Sequence, residues 1–325
     1  GGGGSIGGEL CIEILKNNPK KIFILEMSEI NLFNIIKTIK EKKIYSNNIV
    51  KPILGDCNDK YFLENYFKNI IIDDVYHAAA YKHVSFGEEN QYSMIKNNIF
   101  GTKTIVDFSK YKKVKNFVFI SSDKAVNPKS ILGFTKSFGE KIVCNQMFQD
   151  KNELITNFTI VRFGNVIGSS GSVIPIFLNQ ISQNMPLTVT HKKVKRYFMS
   201  ISEAVQLVIS ASHLNKNGIK IYALDMGKQI YIKDIAERII RLSGYTMKNF
   251  KNPKGDLPIK IIGLQKGEKV SEEITLGKNL TKTKYPKIML CNEKIQKQNL
   301  DFKLKKLKKI FNKRLTKKKI DNILK

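Results

Sequence analysis

Between residues 1 and 165, short apolar runs alternate with helix-like stretches, and that rhythm leaves few folds open. Lys21–Leu25, Ile49–Leu54, Asp74–His77, Phe117–Ser121 and Thr159–Phe163 read as strands. Asn31–Lys42, Met94–Tyr111 and Gly133–Met147 carry helical spacing between them. Strands joined through helices pair in parallel, and a parallel sheet is covered on both faces. The expected class is therefore α/β, a doubly wound parallel sheet built from residues 1–165. Beyond Gly164 the rhythm changes to loops, short strands and helices, so a smaller lobe is expected over 166–300, followed by a basic amphipathic helix over 301–325.

Gly1, Gly4 and Gly7 form GxxGxxG, with Ser5 and Ile6 inside it, leading into a helix expected to start near Glu9. Glycines let the backbone turn tightly and approach a pyrophosphate, whose charge sits at the helix N-terminus. A run of four glycines also reads as a linker. Glu26, nineteen residues beyond Gly7 at the end of the next strand, favours the first reading, because an acid there accepts hydrogen bonds from an adenosine ribose. No Gly-Lys-Ser/Thr follows, which excludes a P-loop. Such a loop follows a buried strand, whereas this chain opens inside the loop. The expectation is a sheet lacking its first strand, and a nucleotide-binding domain that is unstable or incomplete without that strand's two faces and two edges.

Three further segments suit the same ligand. Gly55-Asp56-Cys57 follows a strand where an adenine would be bracketed, although Asp56 fits a plain turn equally well. Ala78, Ala79 and Ala80 end a strand with small residues, suited either to a close-lying cofactor or to helix–sheet packing. Asn98 either braces a water or backbone on the cofactor side or lies on a helix surface.

Composition excludes some classes. No apolar run reaches the roughly 18 residues a membrane span needs. No charged or apolar leader opens the chain, and Cys11, Cys57, Cys144 and Cys291 are scattered without a CxxC pair, so reduced thiols, no metal site and a cytoplasmic location are expected. The net charge of +28 could signal nucleic acid, but lysines are spread throughout and Arg, the better base reader, is scarce. No nucleic acid is expected as partner; a phosphate-bearing small substrate needs only a few of these charges.

Ser121-Ser122-Asp123-Lys124 closes an apolar run, Gly133-Phe134-Thr135-Lys136 follows, and Leu132 stands four before Lys136. With GGGGSIGGEL (1–10), HAAAYKHV (77–84), NNIFGT (97–102), VRFGNVIGSSGSVIP (161–175), RYFMSISEAVQLV (196–208) and GLQKGEKVSEE (263–273), this strip resembles the extended short-chain dehydrogenase/reductases. Within them the chain is most similar to the CapD-like polysaccharide-biosynthesis family of UDP-N-acetylglucosamine 4,6-dehydratases, up to about residue 295.

The resemblance implies a Rossmann-type domain holding NAD or NADP and a C-terminal lobe for a UDP-N-acetylamino sugar. It implies a reaction in which C4 of the sugar is oxidised, the C5 proton is removed, water leaves from C6 and the hydride returns to C6. Gly1, Gly4, Ser5, Ile6, Gly7, Glu26, Asp56, Cys57, Ala78, Ala79, Ala80, Lys82, Asn98 and Lys136 are implied on the cofactor. Ser122, Asp123, Lys124 and Lys136 are implied as catalytic: Ser122 on the 4-oxygen, Asp123 protonating the leaving hydroxyl, Lys124 removing the C5 proton. An acid beside a base suits an elimination. Lys82, Asn165, Ser172, Val173, Arg196 and Lys269 are implied on the substrate, while Arg162 is equally readable as structural.

Two departures stand out. Leu132 replaces the proton-transferring Tyr of the wider superfamily, so oxidation at C4 needs another base, Asp123 or a water. Gln265-Lys266 replaces an Arg-Pro, and Gln lacks the bidentate fork of Arg. A 4- or 5-epimerase of the same fold and an inactive cofactor-binding scaffold are the alternatives. The resemblance further implies a homo-oligomer, and attachment at the cytoplasmic membrane face through upstream residues.

Overall fold

A computed structural model describes residues 1–43, 48–148, 156–275, 277, 279–311 and 323. Helix α1 (Ser5–Leu15) starts four residues before Glu9, because Gly4 already supplies its N-cap. Strand β1 (Ile22–Glu26), helix α2 (Glu29–Glu41) and strand β2 (Val50–Leu54) follow. The Ser28 hydroxyl caps α2 by accepting from Asn31 N at 3.3 Å. Next come α3 (Lys60–Tyr66), capped by Asp59, then β3 (Asp74–His77), α4 (Val84–Glu89) and α5 (Gln91–Ile95).

A π turn over Lys96–Phe100 runs straight into α6 (Gly101–Tyr111). The helix expected over Met94–Tyr111 is thus interrupted by one wide turn, which carries Asn97 and Asn98 into the interior. Strand β4 (Asn116–Ile120), helix α7 (Ile131–Cys144, extended by a 3-10 turn over Asn145–Phe148) and strand β5 (Asn157–Arg162) complete the alternation.

Strand β4 shows why the sheet is covered on both faces. Phe117 and Phe119 point into one apolar cluster with Phe138, Ile142 and Phe158. Val118 and Ile120 point into the other with Val161, Val205 and Leu224. Strands β3, β4 and β5 pair in parallel register, as the alternation predicts.

Strands β1 and β2 form a separate parallel pair. In a doubly wound sheet the strand preceding the glycine loop lies between the strands here called β1 and β3. Among the described residues nothing pairs with either inner edge, and only the start of the loop bridges them. Gly2 N donates to Leu25 O at 3.1 Å, while a Cβ on Gly1 would lie 2.5 Å from the Ala79 backbone.

After β5 come β6 (Asn165–Ile167), α8 (Val173–Ser182), β7 (Leu187–Val189), β8 (Lys195–Arg196), β9 (Phe198–Ser200), α9 (Ile201–Leu214) and β10 (Ile219–Leu224). Then follow β11 (Ile230–Tyr231), α10 (Ile232–Leu242), β12 (Met247–Lys248), β13 (Leu257–Ile261), β14 (Leu280–Lys282), β15 (Ile288–Cys291) and α11 (Leu300–Phe311).

The expected division at residue 165 needs correcting. β10 pairs in parallel with β5, and β15 and β14 extend the same sheet antiparallel, because the edge of β5 has to be paired. The smaller lobe has its own core of Phe177, Ile181, Leu187, Val189, Ile232, Ala236, Ile240 and Leu257. Leu300, Leu304 and Leu307 of α11 are buried in the cluster that holds Phe138 and Ile142, so this basic helix docks its apolar face on the body. Its expected continuation lies outside the described residues, residue 323 excepted. No helix among the described residues is long and apolar enough to cross a membrane.

Candidate active site

The ends of β1 and β3 and the loop after β6 meet the glycine loop. A Cβ on Gly7 would fall 2.0 Å from Gly1 O, so this approach of helix to loop requires glycine. No side chain caps α1, which leaves its first amides open to an anion. Glu26 is buried: Oε2 accepts from Gly3 N at 3.0 Å and Oε1 from Ser28 N at 3.1 Å. It clamps the loop to the end of β1, and a carboxylate with two such bonds retains acceptor sites for hydroxyls. Asp56 Oδ1 accepts from Asn58 N at 2.8 Å in the turn after β2. Cys57 is buried beside Gly101, and burial pushes its thiol up to about 11.

Asn98 is an interior brace, which disposes of the helix-surface alternative. Its Oδ1 accepts from Tyr81 N at 2.9 Å and its Nδ2 donates to Tyr81 O at 3.0 Å. Nδ2 also lies 3.0 Å from Thr135 Oγ1, tying the loop after Ala78–Ala80 to α7. Behind that loop His77 is wholly buried, and burial drives its pKa well below the usual value. Thr102 Oγ1 donates to Asn98 O at 2.7 Å, so the His77 Nε2–H is the donor in the 3.0 Å contact with Thr102.

Ser122 opens a 3-10 turn at the end of β4. Its Oγ accepts from Lys124 N at 3.2 Å and donates to Asp123 Oδ1 at 2.9 Å. Asp123 is fully buried; Oδ1 also accepts from Lys124 Nζ at 3.0 Å, and Oδ2 has no partner. Lys124 Nζ donates to Asn165 Oδ1 at 3.2 Å and lies 3.9 Å from Glu272 Oε1. On α7, Lys136 Nζ donates to Ile120 O at 2.7 Å over the Phe119 ring, and burial lowers its pKa to about 8. Leu132 is 4% exposed and packs in the core with Ile131 and Phe138, offering no proton-transferring atom.

The substrate-side residues divide. Ser170 N donates to Ser5 Oγ at 3.3 Å, which joins the 168–172 loop to the glycine loop. Gly171, at φ 65°, lies against the His83 ring. Ser172 Oγ is buried without a partner immediately before Val173. Lys82 is exposed just beyond the pinned Tyr81.

Arg196 and Lys269 are turned inward. Arg196 bonds Glu268 at 3.2 Å and Lys195 O at 2.9 Å. Lys269 Nζ donates to Val126 O at 2.8 Å, 3.5 Å from Glu272. Both are buried and each has partners inside the protein, as a buried cation requires. Arg162 is structural: its guanidinium bridges Glu140 (Nε to Oε1, 2.8 Å) and Glu293, and Glu140 also accepts from Ser121 Oγ.

Sequence reasoning missed Glu140 and Glu272. Glu140, four residues after Lys136, lies one helical turn along the same face and could have been found by that spacing. Glu272 had no signal beyond membership of the 263–273 segment.

The model of a family described as "Polysaccharide biosynthesis protein" matches residues 1–293. The chain is 42% identical over 280 residues to the capsular polysaccharide biosynthesis protein CapD of Staphylococcus aureus, covering 86% of this chain and 44% of that protein. It thus spans about half the length of that relative. A UDP-N-acetylglucosamine 4,6-dehydratase (inverting) of Campylobacter jejuni is 32% identical over 277 residues, 84% of this chain and 75% of that protein. Among solved structures, Pen from Bacillus thuringiensis aligns with a TM-score of 0.79 at 33% identity, covering 91% of this chain and 89% of that one.

Proposed function

Because the chain belongs to the polysaccharide biosynthesis protein family, whose matched relatives are of the nucleotide-sugar dehydratase and epimerase type, we propose that it is an NAD(P)-dependent 4,6-dehydratase acting on UDP-N-acetylglucosamine. The observation that carries this reading is the pairing of buried Asp123 with half-buried Lys124, joined at 3.0 Å beside Ser122 and Asn165. An epimerase has no leaving group to protonate, so an acid held against a base favours elimination.

The residues fit a nicotinamide dinucleotide. The glycine contacts at Gly1 and Gly7 leave no room for side chains, and the uncapped start of α1 suits a pyrophosphate. Gly1, Gly4, Ser5, Ile6 and Gly7 would hold the diphosphate, Glu26 the adenosine ribose, Asp56 and Cys57 the adenine, and Ala78–Ala80 with Lys136 the nicotinamide side. When bound, the dinucleotide takes two electrons from C4 and returns them to C6.

The chain's own part is to place the sugar and move protons. Ser122 donates to the sugar 4-oxygen, Asp123 delivers a proton to the departing 6-hydroxyl, and Lys124 takes the C5 proton. Asn165 fixes Lys124 from the opposite side of the turn. Leu132 and the neighbouring apolar groups exclude water, which strengthens the Asp123–Lys124 interaction.

The test is product analysis. Purified protein incubated with UDP-N-acetylglucosamine and NAD(P) should release water and yield a UDP-4-keto-6-deoxy sugar. A C4 epimer as sole product would replace this reading with an epimerase.

A further inference from the structure

Glu272 enters the site from the smaller lobe with no role yet assigned. It is 4% exposed, its Oε1 lies 3.9 Å from Lys124 Nζ, and its Oε2 makes no hydrogen bond. Gln229 Nε2 donates to its backbone carbonyl at 2.6 Å, and Ser271 Oγ donates to Gln229 Oε1 at 2.7 Å, so the side chain is held from behind. The charged groups facing the pair are few: Asp123 and Glu272 flank Lys124, with the Asn165 amide completing its shell, and Lys269 lies 3.5 Å from Glu272.

Proton accounting shows what a carboxylate there supplies. With Leu132 in place of a phenol, Asp123 is the nearest base for the 4-hydroxyl proton. Once Asp123 has taken it, Asp123 is the acid needed at C6, but Lys124 still carries its own proton and cannot act as a base at C5. Another group must hold that proton while the elimination occurs. We infer that Glu272 is the proton acceptor for Lys124, storing one proton during the elimination and returning it at the end.

The cycle closes. The pair and Glu272 begin as carboxylate, ammonium and carboxylate. The 4-hydroxyl proton passes to Asp123 as C4 is oxidised, and the ammonium proton passes to Glu272. The C5 proton passes to Lys124, the C6–O bond breaks, and Asp123 gives its proton to the departing oxygen as water. Lys124 then returns a proton to C5, and Glu272 restores the ammonium. The two electrons kept by the dinucleotide return to C6, so no outside oxidant, reductant or base is consumed. Closing the 3.9 Å gap to hydrogen-bond distance needs only a rotation of the long Lys124 side chain.

The inference rests on the dehydratase reading, and the experiment separates the two. Wild type, Glu272→Gln and Glu272→Asp are compared with UDP-N-acetylglucosamine in deuterated buffer. The readouts are absorbance at about 340 nm for oxidation at C4, deuterium at C5, and product. Glu272→Gln should keep its melting temperature and dinucleotide affinity, still oxidise C4, and slow C5 exchange roughly 10²-fold, as for loss of a general base. Its residual rate should climb with pH, because solvent base must remove the Lys124 proton. Glu272→Asp keeps the charge but sits one methylene further away, and should be slowed about tenfold; it decides the matter if the Gln variant does not fold. Wild-type C5 exchange in either folded variant overturns the role of Glu272 and leaves the dehydratase reading standing. Absence of a 4-keto-6-deoxy product from wild type overturns both.

Discussion

The Asp123 carboxylate and the Lys124 amine meet at 3.0 Å, one wholly buried and the other 17% exposed, with a second Asp123 oxygen left unpartnered. A buried oxygen without a donor costs stability, which a substrate hydroxyl entering the site would relieve. Asp123→Asn and Lys124→Ala should therefore each lower dehydration by about 10²–10⁴ while dinucleotide binding, read by fluorescence quenching, stays near wild type. Near-wild-type turnover in either variant would remove the pair from the chemistry.

Arg162 supports the site from beneath. It neutralises Glu140 and Glu293, and Glu140 in turn fixes Ser121 one residue before Ser122. Arg162→Met leaves the buried Glu140 carboxylate without its cation, and removing one partner of a buried pair costs about 3–5 kcal/mol. Urea unfolding of the variant should show a loss on that scale. A loss under about 1 kcal/mol would mean that solvent reaches the network.

Lys136 gives a pH signature. Its folded pKa of about 8 lies below the ordinary 10.5, because burial disfavours the ammonium. Between those values the unfolded chain binds more protons, so this group's contribution to stability is lowest below about 8 and improves as pH rises toward 10.5. Compared with Lys136→Met, wild type should gain roughly 1–2 kcal/mol between pH 7 and 9.5 in denaturant titrations. Equal pH slopes for the two proteins would show that the amine is not buried.

Much of this was legible in sequence. Alternation alone located β1 to β5, since strands covered by helices on both faces read as largely apolar runs. It could not show that β10, β15 and β14 return to the same sheet, because pairing at the edge of β5 is decided by which strand reaches it, and short apolar runs carry no address. The strip from Ser121 to Lys136 was readable as a family pattern; in the fold Ser122, Asp123 and Lys124 share one hydrogen-bonded turn, while Lys136 Nζ bonds Ile120 O. The inward turn of Arg196 and Lys269 was not, because a lone basic residue looks alike whether it faces solvent, a phosphate or Glu272. The π turn was equally hidden: Asn97-Asn98 gives no periodic signal, and only the contacts with Tyr81 and Thr135 explain why one turn widens.

Leu132 is the sharpest remaining test, because it is packed in the core on the same helix as Lys136. Leu132→Met conserves volume in a well-packed setting and should keep both activity and stability, with a cost below about 1.5 kcal/mol. Leu132→Tyr must fit a larger ring beside Ile131 and Phe138, so a loss of about 1–3 kcal/mol in denaturant unfolding is expected. If the added phenol reaches the sugar 4-oxygen near Lys136, it competes with Asp123 for the 4-hydroxyl proton, and the pH–rate profile shifts. Combining it with Glu272→Gln separates the routes: a phenolate that takes this proton lets Asp123 accept the Lys124 proton across 3.0 Å and pass it to the departing oxygen, the resulting phenol then restores the Lys124 ammonium through solvent, and Glu272 becomes dispensable. The double variant should then regain about tenfold or more of the C5 exchange lost in Glu272→Gln alone. An unchanged rate in the double variant would show that the Tyr at this position does not reach the substrate.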